Sequence, residues 1–89
     1  MIESTLFKSV QLLIKGQLEA ADVLVQNGKI TQIAPRISES AEQIVEEPNL
    51  ILMPGMIDPH VHFREPGAEY KETLYTGSKS AVAGGVTSF

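Results

Sequence analysis

The sequence feature that most constrains the fold is a near-continuous apolar run, LILMPGMIDPHVHF, at residues 50–63. Such a run is typical of a strand buried on both faces of a parallel sheet, although Pro59 predicts a local irregularity. A helical pattern follows over residues 74–82, with Gly84 placed to end the helix in the left-handed conformation. The last residues, GGVTSF, predict the start of another strand. These elements together predict one βαβ unit.

This predicted βαβ unit lacks the surroundings that its apolar strand needs. A parallel strand that is apolar on both faces requires further strands beside it and helices above it. The chain has 89 residues, and a chain this short hides only about two thirds of its unfolded surface. We therefore expect residues 54–89 to be a piece of a larger α/β domain.

The preceding part of the chain, residues 5–52, has short β-type runs separated by polar turns and predicts an all-β unit. Asn27-Gly28 predicts a two-residue type I′ turn, because both residues tolerate positive φ. If Gln26 pairs with Lys29, apolar residues fall on both faces of this hairpin. Either both faces are then covered or a bulge shifts the register. We place the domain boundary between residues 53 and 54.

Charge and composition exclude several classes of function. Seven basic and eleven acidic residues give a net charge of −4, and the basic residues are scattered, so nucleic acid is not an expected partner. Cysteine is absent, which leaves histidine and carboxylate as the available transition-metal ligands. No basic leader precedes an apolar stretch, and the longest apolar stretch is too short to span a bilayer. We expect a cytoplasmic protein with no membrane partner.

The residues that can carry chemistry cluster at the end of the apolar run, in GMIDPHVHFREPG at residues 55–67. On a continuous strand, Asp58, His60, His62 and Arg64 would share one face, with neighbours roughly 6.5 Å apart. Two imidazoles at that spacing can converge on one metal ion. The same pattern also occurs in ordinary strands, and an isolated arginine is by default a solvated loop residue. The pattern alone therefore leaves a purely structural role open.

The segments PGMIDPHVHFREPG, KETLYTG and AVAGGVTSF resemble the N-terminal region of the dihydroorotases, a family of the amidohydrolase superfamily. The resemblance implies an α/β fold in which residues 1–53 form a small β-sandwich segment. Residues 54–89 would be the first strand, loop and helix of a TIM-like (β/α)8 barrel, entering the second strand. It further implies that His60 and His62 ligate zinc, one or two ions in the complete enzyme. Arg64, with His62 beside it, would bind the substrate carboxylate.

The implied reaction is the metal-dependent, reversible hydrolysis of the cyclic amide of dihydroorotate to carbamoyl aspartate, in pyrimidine biosynthesis. The other metal ligands and the catalytic aspartate would come from later strands. No catalytic residue is therefore assigned within this chain, and the 89 residues alone are expected to be inactive. The expected assembly is a homodimer or a complex with a transcarbamoylase.

Neighbouring residues receive supporting roles. Asp58 shares the histidine face but lies farther from the strand's end, so we expect it to orient an imidazole rather than to ligate. Glu65 and Glu72 are interpreted as loop and helix-start residues. The small side chains around Gly77 are interpreted as packing.

Three alternatives remain open. The first is a different cyclic amidohydrolase, but allantoinases carry asparagine before Glu-Pro-Gly and hydantoinases lack Arg-Glu-Pro-Gly, so Arg64 favours a dihydroorotase. The second is a non-catalytic dihydroorotase-like scaffold subunit, which the presence of both histidines disfavours. The third is a free-standing β module with an incidental His-x-His, which the buried character of the apolar run disfavours.

Overall fold

The computed structural model describes residues 2–89, which divide after Met53 into two compact units. The first unit is a five-stranded sheet in which three strands form an antiparallel meander and two short strands pair parallel to the first. The all-β prediction for this part of the chain is therefore confirmed. The predicted sandwich stays a prediction, because residues 2–53 contribute a single sheet. The strands are β1 (Ser4–Ile14), β2 (Gln17–Gln26), β3 (Lys29–Ala34), β4 (Gln43–Glu46) and β5 (Ile51–Leu52).

The turn between β2 and β3 has the predicted geometry. Asn27 and Gly28 have φ angles of 50° and 77°, as a type I′ turn requires. Gln26 pairs with Lys29, and the register then shifts between Leu24 and Val25. The second of the two expected alternatives, a shift in register, is therefore present.

Both faces of the sheet carry buried side chains. Val23 and Leu24 are each 1% exposed, and as neighbours on β2 they point to opposite faces. One cluster contains Val10, Leu12, Ala21 and Val23, and the other contains Leu6, Leu24 and Ile37.

A buried carboxylate lies between these strands. Asp22 is 3% exposed, and its two oxygens accept hydrogen bonds from the backbone N–H groups of Ser9 and Ile37. Burial alone would raise the pKa of Asp22, but those two hydrogen bonds, with the positive charges of Lys8 and Arg36, hold it below its ordinary value of 3.8. The ionised carboxylate thus fixes two backbone segments to β2.

The second unit is a βαβ unit, as predicted. Its elements are β6 (Met56–Ile57), α1 (Leu74–Ala83) and β7 (Val86–Ser88), and the two strands pair in parallel. Met56 and Ile57 are 61% and 74% exposed, as expected for a parallel strand with a neighbour on one side only.

In the described part of the chain, no helix combines the length and apolar character needed to cross a membrane.

Two predicted details of this unit are wrong. The strand stops at Ile57 and does not continue through the histidines, because Pro59 has no N–H and the last ladder bond runs from Asp58 N–H to the Ser88 carbonyl at 2.8 Å. The helix ends at Gly84 with a φ of −89°, and the left-handed residue is Gly85, at 92°. Either glycine suits a helix end, and only the path of the chain into β7 selects between them.

Candidate metal and substrate site

The two histidines lie in the loop that follows β6. Their Nε2 atoms are 2.8 Å apart, with ring centroids 4.8 Å apart and ring planes inclined by 55°. Both side chains are exposed. At this distance one ring donates an N–H to the other, and two deprotonated Nε2 atoms would present their lone pairs to one cation. The convergence expected for a strand is therefore reached from an irregular loop.

Asp58 supports this loop through the backbone. Its Oδ1 accepts a hydrogen bond from the backbone N–H of His60 at 3.2 Å, while its own N–H is held by β7. The predicted role of orienting an imidazole stays a prediction, since the contact that the structure shows is to the main chain of His60.

A cavity of about 300 Å³ opens between the loop and α1. Asp58, His62 and Glu72 supply the ionisable groups of its lining, and Phe63 and Phe89 supply aromatic rings whose centroids lie 4.8 Å apart. A volume of this size suits a small ligand. The structure brings His62 to this cavity, whereas His60 and Arg64 are not among its lining residues.

Arg64 begins the turn that leads towards the helix, and its side chain is exposed. Its carbonyl accepts the Ala68 N–H at 2.7 Å. The carboxylate of the next residue, Glu65, accepts the Leu74 N–H at 2.8 Å, at the first residue of α1. The sequence did not predict this contact, because the spacing of Glu65 and Leu74 does not indicate whether the Glu65 carboxylate binds the helix or faces solvent.

The donor atoms fit part of a zinc site. Two imidazole nitrogens are suitable zinc ligands, and a structural or catalytic zinc ion takes three or four protein ligands. Within residues 2–89, no group of three or more histidine, cysteine, aspartate or glutamate side chains could hold a metal ion. His60 and His62 would therefore need partners from outside this part of the chain.

Comparisons with known proteins show which proteins the chain is similar to. Residues 51–89 match the model of the Amidohydrolase family. The dihydroorotase of Pediococcus pentosaceus is 49% identical over 82 residues, covering 92% of this chain and 19% of that protein. The dihydroorotase of Listeria monocytogenes is 49% identical over 72 residues, covering 81% of this chain and 17% of that protein. The resemblance to the dihydroorotases is confirmed.

Other cyclic amidohydrolases are similar as well. An allantoinase of Bacillus velezensis is 44% identical over 89 residues, all of this chain and 20% of that protein. Among solved structures, the L-hydantoinase of Arthrobacter aurescens superposes with a TM-score of 0.80 and 26% identity, covering 98% of this chain and 20% of that one. The chain spans about a fifth of the length of the curated relatives it matches.

Proposed function

We propose that this chain is the N-terminal part of a dihydroorotase, a hydrolase that reversibly opens the cyclic amide of dihydroorotate to carbamoyl aspartate in pyrimidine biosynthesis. The observation that carries the proposal is the 2.8 Å approach of the His60 and His62 Nε2 atoms, in the same loop as Arg64, two residues after His62. Relatives named dihydroorotase, at 49% identity, support it. Because the chain spans 19% of the first of these relatives, the activity is proposed for a longer protein.

The proposed architecture divides at the same place as the two compact units. Residues 1–53 would be part of a β-sandwich, and residues 54–89 would begin a TIM-like (β/α)8 barrel. The single sheet of the first unit, the βαβ topology of the second and the superposition on a hydantoinase support this proposal. The exposed β6 would then gain a second neighbouring strand from the rest of the barrel.

The proposed metal is zinc, as one or two ions, with His60 and His62 among its ligands. Bound zinc would supply a Lewis acid and activate a water molecule. The proposed role of this chain is to supply two imidazole Nε2 atoms, which lie 2.8 Å apart, as ligands of one ion. The hydrogen bond from the His60 N–H to Asp58 holds the first of these residues in place.

The proposed role of Arg64 is to bind the carboxylate of the substrate. Its guanidinium is planar and carries donors in a fork that matches a carboxylate. His62, which lines the adjacent cavity, would contact the same ligand. We further propose that the complete protein is cytoplasmic. It would form a homodimer or associate with a transcarbamoylase.

A second candidate is a related amidohydrolase that acts on allantoin or a hydantoin. The match to an allantoinase over all 89 residues of this chain and the superposition on a hydantoinase favour it. Those substrates lack the carboxylate of dihydroorotate, so Arg64 would have no such partner. The two candidates therefore differ in which substrate depends on Arg64. A scaffold subunit without activity would differ from both candidate enzymes, because it would hydrolyse neither dihydroorotate, nor allantoin, nor a hydantoin.

The test is a chimera in which this chain replaces the matching segment of the Pediococcus pentosaceus dihydroorotase. We expect the chimera to bind zinc and to hydrolyse dihydroorotate in preference to allantoin or hydantoin. Arg64→Met should lower kcat/KM on dihydroorotate by roughly thirty- to a thousandfold without loss of zinc, because a charged bidentate contact is removed. Arg64→Lys should recover only part of this loss.

The matched control is Arg36→Met, which removes the other arginine of the chain, in the first unit, and should leave kcat/KM unchanged. A chimera that turns over allantoin or hydantoin in preference would support the second candidate instead. An inactive chimera that folds and binds zinc would contradict both. Loss of zinc in Arg64→Met would mean that Arg64 supports the metal site and not the substrate.

A further inference from the structure

The two residues that flank Arg64 are both anchored to helix α1. On one side, the Phe63 ring packs against the helix at Gly77, where a Cβ would lie 2.8 Å from the ring. On the other side, Glu65 accepts a hydrogen bond from the N–H of Leu74. Arg64 itself is exposed. The backbone on both sides of Arg64 is therefore held against α1, while the Arg64 side chain stays exposed.

The Glu65 anchor is a charged contact at a favourable place. Its Oε2 lies 2.8 Å from the backbone nitrogen of Leu74, at the N-terminus of α1. A carboxylate at a helix N-terminus is stabilised by the partial positive charge of the unpaired N–H groups. The first turn of α1 has no acidic residue of its own, and Glu65 is half-buried. The Glu65 carboxylate, nine residues before Leu74 in the chain, therefore provides the negative charge at the N-terminus of α1.

The remaining bonds of the turn do not reach the helix. The Arg64 carbonyl accepts the Ala68 N–H, and the Glu69 carboxylate accepts the Gly67 N–H at 3.1 Å. These contacts close the turn on itself but leave its position relative to α1 undetermined. On the C-terminal side of Arg64, the Glu65 contact connects the turn to the helix.

We propose that Glu65 is a positioning residue that holds Arg64 in place for the substrate carboxylate by anchoring the turn to the N-terminus of α1. The inference rests on the proposed function, because it assigns Glu65 a role in presenting Arg64 to that carboxylate. A displacement of about 1 Å in a substrate-binding group can cost up to a hundredfold in rate. Glu65 therefore acts on binding through geometry and does not itself touch the substrate.

The experiment compares Glu65→Ala and Glu65→Gln in the zinc-loaded chimera. Glu65→Ala should raise KM for dihydroorotate about tenfold or more, with a smaller change in kcat, because Arg64 is no longer held in place. Glu65→Gln should recover most of this loss, because its side-chain oxygen can still accept the Leu74 N–H. Hydrogen exchange of the peptide that contains Leu74 should be faster in the alanine variant than in the glutamine variant. Glu39→Ala, which removes an exposed carboxylate of the first unit, is the control.

A double-mutant cycle separates positioning from a general loss of structure. Once Arg64→Met has removed the guanidinium, adding Glu65→Ala should change kcat/KM by less than about twofold, because the two residues act as one unit. Hydrolysis of dihydrouracil, which lacks the carboxylate, should be nearly insensitive to Glu65→Ala.

The possible failures are distinguishable. If Arg64→Met lowers activity on dihydroorotate but Glu65→Ala does not, the positioning role is wrong and the proposed function stands. Additive effects of the two substitutions, or equal losses on both substrates, would likewise overturn the positioning role. If Arg64→Met leaves activity on dihydroorotate intact, the proposed substrate role of Arg64 is wrong. The positioning role of Glu65 is then wrong as well, because it depends on that role.

Discussion

The Oδ2 atom of Asp22 accepts a hydrogen bond from the backbone N–H of Ile37 at 2.9 Å, and this contact ties the segment after β3 to the middle of β2. The other carboxylate oxygen accepts the N–H of Ser9 at the same distance. Ser9 has a φ of 58° and lies in the irregularity of β1 between Phe7 and Val10. One buried side chain therefore satisfies two backbone donors that no strand partner reaches.

Removal of this carboxylate should destabilise the first unit. Asp22→Ala leaves two backbone N–H groups without their acceptors, at a cost of about 2–5 kcal/mol in the free energy of unfolding. Asp22→Asn should not restore stability fully, because its amide nitrogen would face one of those N–H groups. Urea denaturation followed by circular dichroism measures both variants. Glu19→Gln, on an exposed residue of the same strand, is the control, and equal stability of Asp22→Ala and the parent would contradict the role.

The same carboxylate should make stability depend on acid pH. The pKa of Asp22 is lower in the folded chain than its ordinary value of 3.8, so its contribution is fully present above that pH. The contribution is lost as the pH falls through the folded pKa, when the carboxylate takes up a proton. Urea denaturation across this acid range should show a steeper loss of stability in the parent than in Asp22→Asn. If the free energy of unfolding of the parent and of Asp22→Asn fell in parallel with pH, Asp22 would not be a source of the acid dependence.

Gly77 should resist substitution because of Phe63. A Cβ at Gly77 would lie 2.8 and 2.9 Å from two atoms of the Phe63 ring, so that Gly77→Ala must displace the ring. We expect the variant to lose stability or to raise KM for dihydroorotate in the chimera, although alanine favours the helix by about 1 kcal/mol. Phe63→Leu in the same chain should relieve part of the defect. Gly84→Ala is the matched control, because a Cβ there meets nothing closer than 3.5 Å.

Each histidine of the candidate metal site should be needed for zinc. In the chimera, His60→Ala and His62→Ala would each remove one of the proposed ligands, and each variant should lose most of its zinc on dialysis. Metal analysis after gel filtration measures the stoichiometry. Gln43→Ala, an exposed polar residue of β4, should keep the zinc of the parent. Full retention of zinc in both histidine variants would contradict the assignment.

The 89-residue chain by itself should be poorly protected at β6. Met56 and Ile57 remain 61% and 74% exposed, so little apolar burial stabilises the strand, and within residues 2–89 it pairs with β7 alone. We expect fast hydrogen exchange, or concentration-dependent association, at residues 56–62, and weak zinc binding. In the chimera the same peptide should exchange slowly. Slow exchange in a monomer of the isolated chain would show that the second unit needs no further strands.

Much of the local structure could be predicted because it depends on neighbouring residues. The Asn27-Gly28 turn follows from the φ angles that these two residues tolerate. The apolar residues on both faces of the hairpin indicated either a bulge or two covered faces, and the structure has both. The turn at Lys15-Gly16, with φ angles of 50° and 80°, was missed although it has the same geometry. Lysine is not a typical residue at positive φ, so the pattern did not indicate a turn.

The sequence by itself determined which residues can carry the chemistry and the order of the elements around them. The pair His60 and His62, the arginine that follows and the strand-helix-strand pattern are all properties of residue type and short-range spacing. Only the tertiary structure decided where β6 stops and how the two imidazoles, both in a loop, come together. It also decided which backbone N–H groups donate to the carboxylates of Asp22 and Glu65. Those outcomes depend on backbone groups that are distant in the chain, and hydrogen-bond partners at such separations leave no periodic trace in the sequence.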